Sequence, residues 1–174
     1  RVSAAMGGGS RVWAYGPDRL GLLADVAATF AVARLPVRAC RAWSQGPYAI
    51  SIWDVADEDV DVAVLRAGYD AIVEGRIDPA ERLAVSEGEP SVVVRPEASE
   101  HATVLEVRTA DRPAVLYTVC AALKKLGMTV RSAHISTLGP QAVDVFYLQE
   151  AYAGQLTDQR AAEAAHAVRA AMAG

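Results

Sequence analysis

The sequence has little of what several classes of protein require. Its 174 residues include two cysteines, Cys40 and Cys120, which are too few for a disulfide scaffold, so we expect reduced thiols in a packed interior. Acidic residues outnumber basic ones by 21 to 17, the wrong sign for neutralising a nucleic-acid backbone. No apolar run reaches the roughly 18 residues of a membrane helix, and residues 1–10 lack the apolar core of a signal peptide. These absences indicate a cytoplasmic protein that binds neither nucleic acid nor membrane.

The common motifs of catalysis and metal binding are also missing. Gly7-Gly8-Gly9-Ser10 has no GK[ST] ending, which favours a flexible leader over a phosphate loop. The acidic segment 57–61 begins like a calcium loop, but Val62 and Gly68 stand where that loop needs Gly and Glu, which favours an acidic helix start. The histidines show no zinc-ligand spacing with the cysteines and are interpreted as ordinary surface or packed residues. They are His101, His134 and His166.

What the sequence does have is an internal repeat. The segment from Asp18 to Leu23 has a counterpart that runs from Asp111 to Leu116, an offset of 93 from residue 18 to residue 111. The same offset continues without a gap and pairs Val37-Arg38 with Val130-Arg131. The composition, 52% hydrophobic and 22% charged, allows one ordinary domain or two small ones. The repeat favours two copies of one unit of about 75 to 90 residues.

Each copy predicts the same order of elements. Segments rich in β-branched residues predict a first strand, and apolar residues at helical spacing predict a helix that ends near Leu35 or Gly127. A hairpin and a second helix follow, the latter capped in copy two by Thr157 or Asp158. The strands are predicted at 12–15, 37–43 and 49–55 and at 103–107, 130–137 and 142–148, and the second helices at 60–73 and 158–171.

Ser91–Arg95 predicts a fourth strand for copy one, whereas copy two ends after its second helix. The predicted fold class is therefore α+β, with two ferredoxin-like βαββαβ units of which the second lacks its last strand. We place a flexible leader at residues 1–10, the first unit at 11–97 and the second at 98–174. The polar stretch 78–89 is interpreted as a connector within the first unit.

The Asp-Arg turn between the first strand and the first helix of each copy is the candidate binding motif. A helix start carries unpaired N–H groups and a partial positive charge, and can hold a carboxylate such as that of an amino acid. Gly21 permits close approach to a ligand because it lacks Cβ. Asp18 and Asp111 either attract an ammonium group or simply cap the helix. The candidate ligand-binding residues here are Asp18, Arg19, Leu20, Gly21 and Leu22, with Asp111, Arg112, Pro113, Ala114 and Val115.

At these residues the chain resembles an ACT domain, a small regulatory module that binds amino acids between paired units. Copy two is also similar to the end of the bifunctional PII uridylyltransferase/uridylyl-removing enzyme family, in Asp111-Arg112-Pro113, in residues 130–139 and in 143–147. The chain begins with Arg1 and not Met, so we expect a fragment of a longer protein. The resemblance implies that this chain senses glutamine and shifts the parent enzyme towards removing uridylyl groups from PII.

The resemblance implies no catalytic residue, metal site or cofactor in this chain, and magnesium or manganese in the parent's catalytic domains. Those domains and PII are the implied partners, together with ACT–ACT pairing within or between chains. Two other interpretations stay open: a free-standing tandem-ACT regulator, and an ACT pair that serves assembly alone. Also open is whether the two units share one sheet, and whether catalytic domains, a second subunit or Ser91–Arg95 covers the open edge of copy two.

In ACT pairs the start of the second strand often faces the partner unit, with ordinary sheet packing as the alternative. Two departures from the family pattern distinguish the loops: Ala114 stands at the family's Gly position, and Leu20 replaces Pro. The two loops therefore need not be equivalent, and the one that contains Gly21 is favoured. The second-strand residues nominated are Val37, Arg38 and Ala39 with Val130, Arg131 and Ser132.

Overall fold

The computed structural model describes residues 1–82, 90–96, 99–110, 114–138, 141–150 and 154–173. These residues form eight strands and five helices. The strands are β1 (Val2–Ala4), β2 (Ser10–Pro17), β3 (Val37–Gln45), β4 (Tyr48–Val55), β5 (Ser91–Arg95), β6 (Thr103–Ala110), β7 (Met128–Leu138) and β8 (Gln141–Glu150). The helices are α1 (Leu22–Val32), α2 (Val62–Val73), α3 (Pro79–Arg82), α4 (Val115–Lys125) and α5 (Asp158–Ala173).

All eight strands belong to one antiparallel sheet, in the order β1-β2-β4-β3-β7-β8-β6-β5. The two copies join where β3 meets β7, with Arg41 opposite His134, so they share a sheet within one chain. Along the helix layer α1 packs against α2 and α4, and α4 packs against α5. The predicted α+β class with two ferredoxin-like units is confirmed. We use unit one for β2–α2 and unit two for β6–α5, the repeated part of each copy.

Ser91–Arg95 forms a strand as predicted, but its partner is in unit two. β5 pairs with β6 from Ser91 opposite Arg108 to Arg95 opposite Val104. The prediction that this strand completes unit one is therefore wrong, and the alternative in which it covers the edge of unit two is correct. The connection from β5 to β6 is short, so pairing these neighbours closes a smaller loop than a return to β2 would.

The segment predicted as a flexible leader contributes a strand. β1 pairs with the start of β2, with Val2 opposite Val12, just as Val94 of β5 lies opposite Leu105 in unit two. Each unit thus receives its outer strand from the segment that precedes it in the chain. The prediction that residues 1–10 form a flexible leader is therefore wrong, because Val2–Ala4 form a strand and β2 begins at Ser10. The predicted division between residues 97 and 98 falls on residues outside those described and stays a prediction.

Equivalent side chains build the core of each unit. In unit one, Phe30 of α1 stacks on Trp53 of β4 with ring centroids 4.8 Å apart. Leu123 and Phe146 hold the equivalent positions in unit two, and both are completely buried. Cys40 and Cys120 are buried free thiols, as predicted.

Side-chain caps precede α2 and α5, the second helix of each unit. Asp61 precedes α2 and its carboxylate accepts hydrogen bonds from the N–H groups of Ala63 and Val64, so the acidic segment is a helix start as predicted. Thr157 precedes α5, and its hydroxyl accepts from the N–H of Arg160. The predicted connector 78–89 contains the short helix α3, and its residues 83–89 lie outside those described. Within the described parts of the chain, no helix combines the length and hydrophobicity needed to cross a membrane.

Candidate functional site

A cavity of about 460 Å³ lies between α1 and α2 on one side and the β2, β3 and β4 part of the sheet on the other. Its volume is within the range of roughly 300 to 1,000 Å³ that is usual for small-molecule sites. The loop Asp18–Leu22 lines it from unit one, and Lys124 with Met128–Val130 lines it from unit two. The structure therefore brings the favoured candidate loop and one nominated second-strand residue, Val130, to the same cavity.

The Asp18–Leu22 loop leaves the start of α1 without a side-chain cap. Gly21 precedes the helix in the left-handed conformation, with φ at 85°, and no side-chain hydrogen bond caps the helix. Asp18 lies too early in the chain to cap it, and its own backbone N–H donates to the carbonyl of Pro47 at 2.8 Å. The alternative that Asp18 caps α1 is therefore wrong. The N–H of Leu22 already donates to the carbonyl of Arg19 at 3.2 Å, so an anion can bind only the N–H groups that follow, those of Leu23 and Ala24.

Arg19 is held in place by α1 and α2. Its Nη2 atom lies 2.6 Å from Oδ2 of Asp25 and donates to the hydroxyl of Tyr69 at 3.1 Å. Burial acts to lower the pKa of Arg19, but its bonds to Asp25 and Tyr69 outweigh this and raise the pKa. The guanidinium is thus a fixed positive charge on the wall of the cavity and is already bonded to Asp25 and Tyr69.

Lys124 reaches the same place from unit two. Its Nζ atom lies 3.7 Å from Oδ1 of Asp25. A Cβ placed on Gly21 would lie 2.5 Å from Cδ of Lys124 and 2.8 Å from its Nζ atom, so the lysine occupies the space that the glycine leaves open. The repeat did not predict this residue, because its equivalent in unit one is Ala31. Its one signal is rarity, since the sequence has only the two adjacent lysines Lys124 and Lys125.

The starts of the two second strands share a distortion. The register of β3 against β4 shifts between Val37 and Ala39, and that of β7 against β8 shifts between Val130 and Ser132. Arg38 and Arg131 are therefore the extra residues of two β-bulges at equivalent positions.

These nominated residues do not all reach the cavity. Arg38 donates to the carbonyl of Gly8 at 3.1 Å, and neither it nor its neighbours Val37 and Ala39 line the cavity. Arg131 and Ser132 line a separate cavity of about 320 Å³ at the junction of β3 and β7.

The second loop differs from the first where it is described. Asp111, Arg112 and Pro113 lie outside the described residues. Ala114 precedes α4 with φ at −88°, an ordinary right-handed conformation, and no side chain caps the helix. Val115, the first residue of α4, is buried in the core. The two copies therefore enter their first helices differently, as the exchange of Gly21 for Ala114 predicts. Ligand binding by either loop stays a prediction.

No family model matches the chain. Among curated proteins it is similar to the bifunctional uridylyltransferase/uridylyl-removing enzyme of Streptomyces coelicolor, with 37% identity over 170 residues that cover 86% of this chain and 20% of that protein. The enzyme of the same name from Zymomonas mobilis is 44% identical over 71 residues, 41% of this chain and 8% of that protein. The corresponding Nitrobacter hamburgensis protein is 34% identical over 113 residues, covering 58% of this chain and 12% of that protein.

The resemblance to a region of this enzyme is thus confirmed, and the chain spans a fifth or less of the length of these relatives. A solved structure of an unknown protein from Galdieria sulphuraria matches with a TM-score of 0.32 and 18% identity, covering 79% of this chain and 78% of that one. That similarity is too low to carry an argument.

Proposed function

We propose that this chain is the ACT-type regulatory region of a bifunctional uridylyltransferase/uridylyl-removing enzyme in the cytoplasm, and that it senses glutamine. The relatives support the parent enzyme. The cavity between the Asp18–Leu22 loop and unit two carries the sensing role, because a loop at an uncapped helix start faces a volume large enough for an amino acid. The parent's catalytic domains and PII are the proposed partners.

The charges around the loop suit a free amino acid. After Leu22, whose N–H donates to Arg19, the first turn of α1 offers N–H groups to a carboxylate, and the ammonium of Lys124 lies over Gly21. Asp18 is exposed on the cavity wall and can attract the amino acid's ammonium group. Arg19 already bonds to Asp25 and Tyr69, so its role is to hold α1 and α2 around the cavity.

Regulation requires that the ligand distinguish two arrangements of the units. The cavity has walls from both units, so a change in their packing would alter the contacts that glutamine makes. A ligand can shift the equilibrium between two states only by its difference in affinity for them, typically about 1 to 3 kcal/mol. In the parent enzyme this shift would favour uridylyl removal when glutamine is bound.

Titration calorimetry and thermal unfolding with millimolar glutamine test this proposal. The unsubstituted chain should be compared with the Gly21→Ala variant, which places a methyl group on the cavity wall where Lys124 now lies. Gly75→Ala is the matched control: Gly75 also has a positive φ, 72°, and a Cβ there meets nothing within 4 Å. We expect glutamine to bind the unsubstituted chain and Gly75→Ala, and Gly21→Ala to bind at least tenfold more weakly.

Two results would contradict sensing at this loop. One is the absence of both heat and a thermal shift in a folded sample of the unsubstituted chain. The other is equal affinity in the folded Gly21→Ala and Gly75→Ala variants. Either result would favour the alternative in which the ACT pair serves assembly alone, an alternative supported by the way Lys124 fills the space over Gly21.

A further inference from the structure

Several small residues line the cavity in unit one, on the helix-facing side of the sheet, at positions where unit two has larger residues. The larger residues are buried beneath the helices of unit two. Because protein interiors are close-packed, the smaller side chains at these positions leave more space beside them than their equivalents do. The equivalent pairs, each 93 residues apart, are Ala14 and Val107, Gly16 and Thr109, and Ala42 and Ile135.

The interior and the rim of this space differ in charge. The charged side chains that line it are all exposed at the rim: Arg1, Asp18, Arg19, Arg66 and Lys124. Further in, the lining is apolar or hydroxyl-bearing. Ser51 is 7% exposed there, and its Oγ accepts a hydrogen bond from Nε1 of Trp53 at 2.8 Å. A charged group moved into such an interior loses its hydration without gaining a partner of opposite charge.

We infer that the hollow interior of unit one, between α1 and the sheet, receives the side chain of the bound amino acid and selects for an uncharged one. The inference rests on the proposed function and adds to it where the side chain goes and which class of amino acid fits. The charged α-carboxylate and α-ammonium groups remain at the rim, near Lys124 and Asp18. An amide side chain can bond to the hydroxyls of Ser44 and Ser51, which both line the cavity. A carboxylate side chain there has no positive partner.

A ligand panel on the unsubstituted chain tests the selectivity. Calorimetry with glutamine, methionine, glutamate and lysine separates uncharged from charged side chains at similar length. We expect glutamine and methionine to bind, and glutamate and lysine to bind at least tenfold more weakly. Glutamate binding as tightly as glutamine would overturn the inference.

A substitution chosen by comparing the two units tests where the side chain of the amino acid binds. The double variant Ala14→Val, Ala42→Ile gives unit one the residues that unit two already has at these positions. We expect its melting temperature to be maintained or raised and its glutamine affinity to fall at least tenfold. Ala14→Val alone is the milder variant should the double substitution disturb folding, since Ala14 is only half-buried. Val107→Ala, in unit two, is the control and should leave glutamine affinity unchanged.

The outcomes separate this inference from the proposed function. If glutamine binds the unsubstituted chain and the folded Ala14→Val, Ala42→Ile variant equally well, the proposed function is retained and the interior location of the side chain is wrong. If Val107→Ala weakens binding as much as Ala14→Val does, the effect is not specific to unit one and the location is again wrong. If no amino acid of the panel binds the unsubstituted chain, both the proposed function and the inference fail.

Discussion

Lys124 of unit two covers the α-carbon of Gly21 in unit one. The same lysine approaches Asp25, which is already paired with Arg19. The place where the loop backbone is most open is therefore also a contact between the two units. A ligand that reaches this part of the loop either recruits the lysine or moves it, and both change how α1 meets α4.

Gly21→Ala should destabilise the chain more than Gly75→Ala does. Both substitutions force an L residue into the left-handed region, which costs about 1 to 2 kcal/mol. At Gly21 the new methyl group must also displace Lys124, whereas at Gly75 it meets open space. Urea unfolding of both variants measures the difference. Equal free energies of unfolding would show that Lys124 moves away from Gly21 at no cost.

Lys124→Met should weaken amino-acid binding about tenfold and change the free energy of unfolding by less than about 0.5 kcal/mol. Methionine keeps the apolar stem and removes the charge, and exposed ion pairs contribute little to stability. Lys125→Met is the matched control, because Lys125 is exposed and does not line the cavity. Titration calorimetry measures the amino-acid affinity of both variants. An equal loss of affinity in the two would show that the net charge of the chain matters and the position of Lys124 does not.

Asp54→Asn should reduce the loss of stability at acid pH. Arg11 donates two hydrogen bonds to Asp54, at 2.6 and 2.7 Å, and these bonds lower the pKa of that carboxyl. Because the folded pKa lies below the unfolded value of about 3.9, the stabilisation is present above that value and is lost as pH falls through the folded pKa. Unfolding free energies measured between about pH 5 and pH 2 test this. Arg11→Gln should flatten the same part of the curve, and an unchanged curve in both variants would contradict the assignment.

The two cysteines should not react with thiol reagents while the chain is folded. Burial raises the pKa of both thiols, and the nearby Asp144 carboxylate raises it further. The reactive thiolate is therefore scarce in the folded state as well as inaccessible. Labelling at pH 8 should be slow in buffer and complete in guanidinium chloride. Rapid labelling of either cysteine in buffer would contradict a packed interior.

Much of the fold was predictable because the repeat supplied each signal twice. The 93-residue offset located the strand, helix and hairpin of both copies. It did not reveal the partner of Ser91–Arg95, since three consecutive valines indicate a strand but do not say which neighbour it joins. The strand at Val2–Ala4 was missed because three residues beside a glycine run give too short a pattern.

The site was predictable only where it is local in sequence. The Asp18–Leu22 loop follows from its position between a strand and a helix, and it does line the cavity. Lys124 and the small residues of the sheet that line the cavity lie far apart in the chain, so only the folded structure brings them together. A sequence repeat marks positions that stayed alike, whereas the cavity lies where Ala42 and Ile135 differ.

The paired bulges at Arg38 and Arg131 bear on the history of the chain. An extra residue at the same point of both second strands is most simply explained if one ancestral unit already had it before the gene segment was duplicated. The small residues that line the hollow beneath α1 differ from their equivalents in unit two, so on the same reasoning this difference arose after duplication. The bulge is thus an inherited part of the scaffold, while the difference in interior volume records how two initially identical halves diverged.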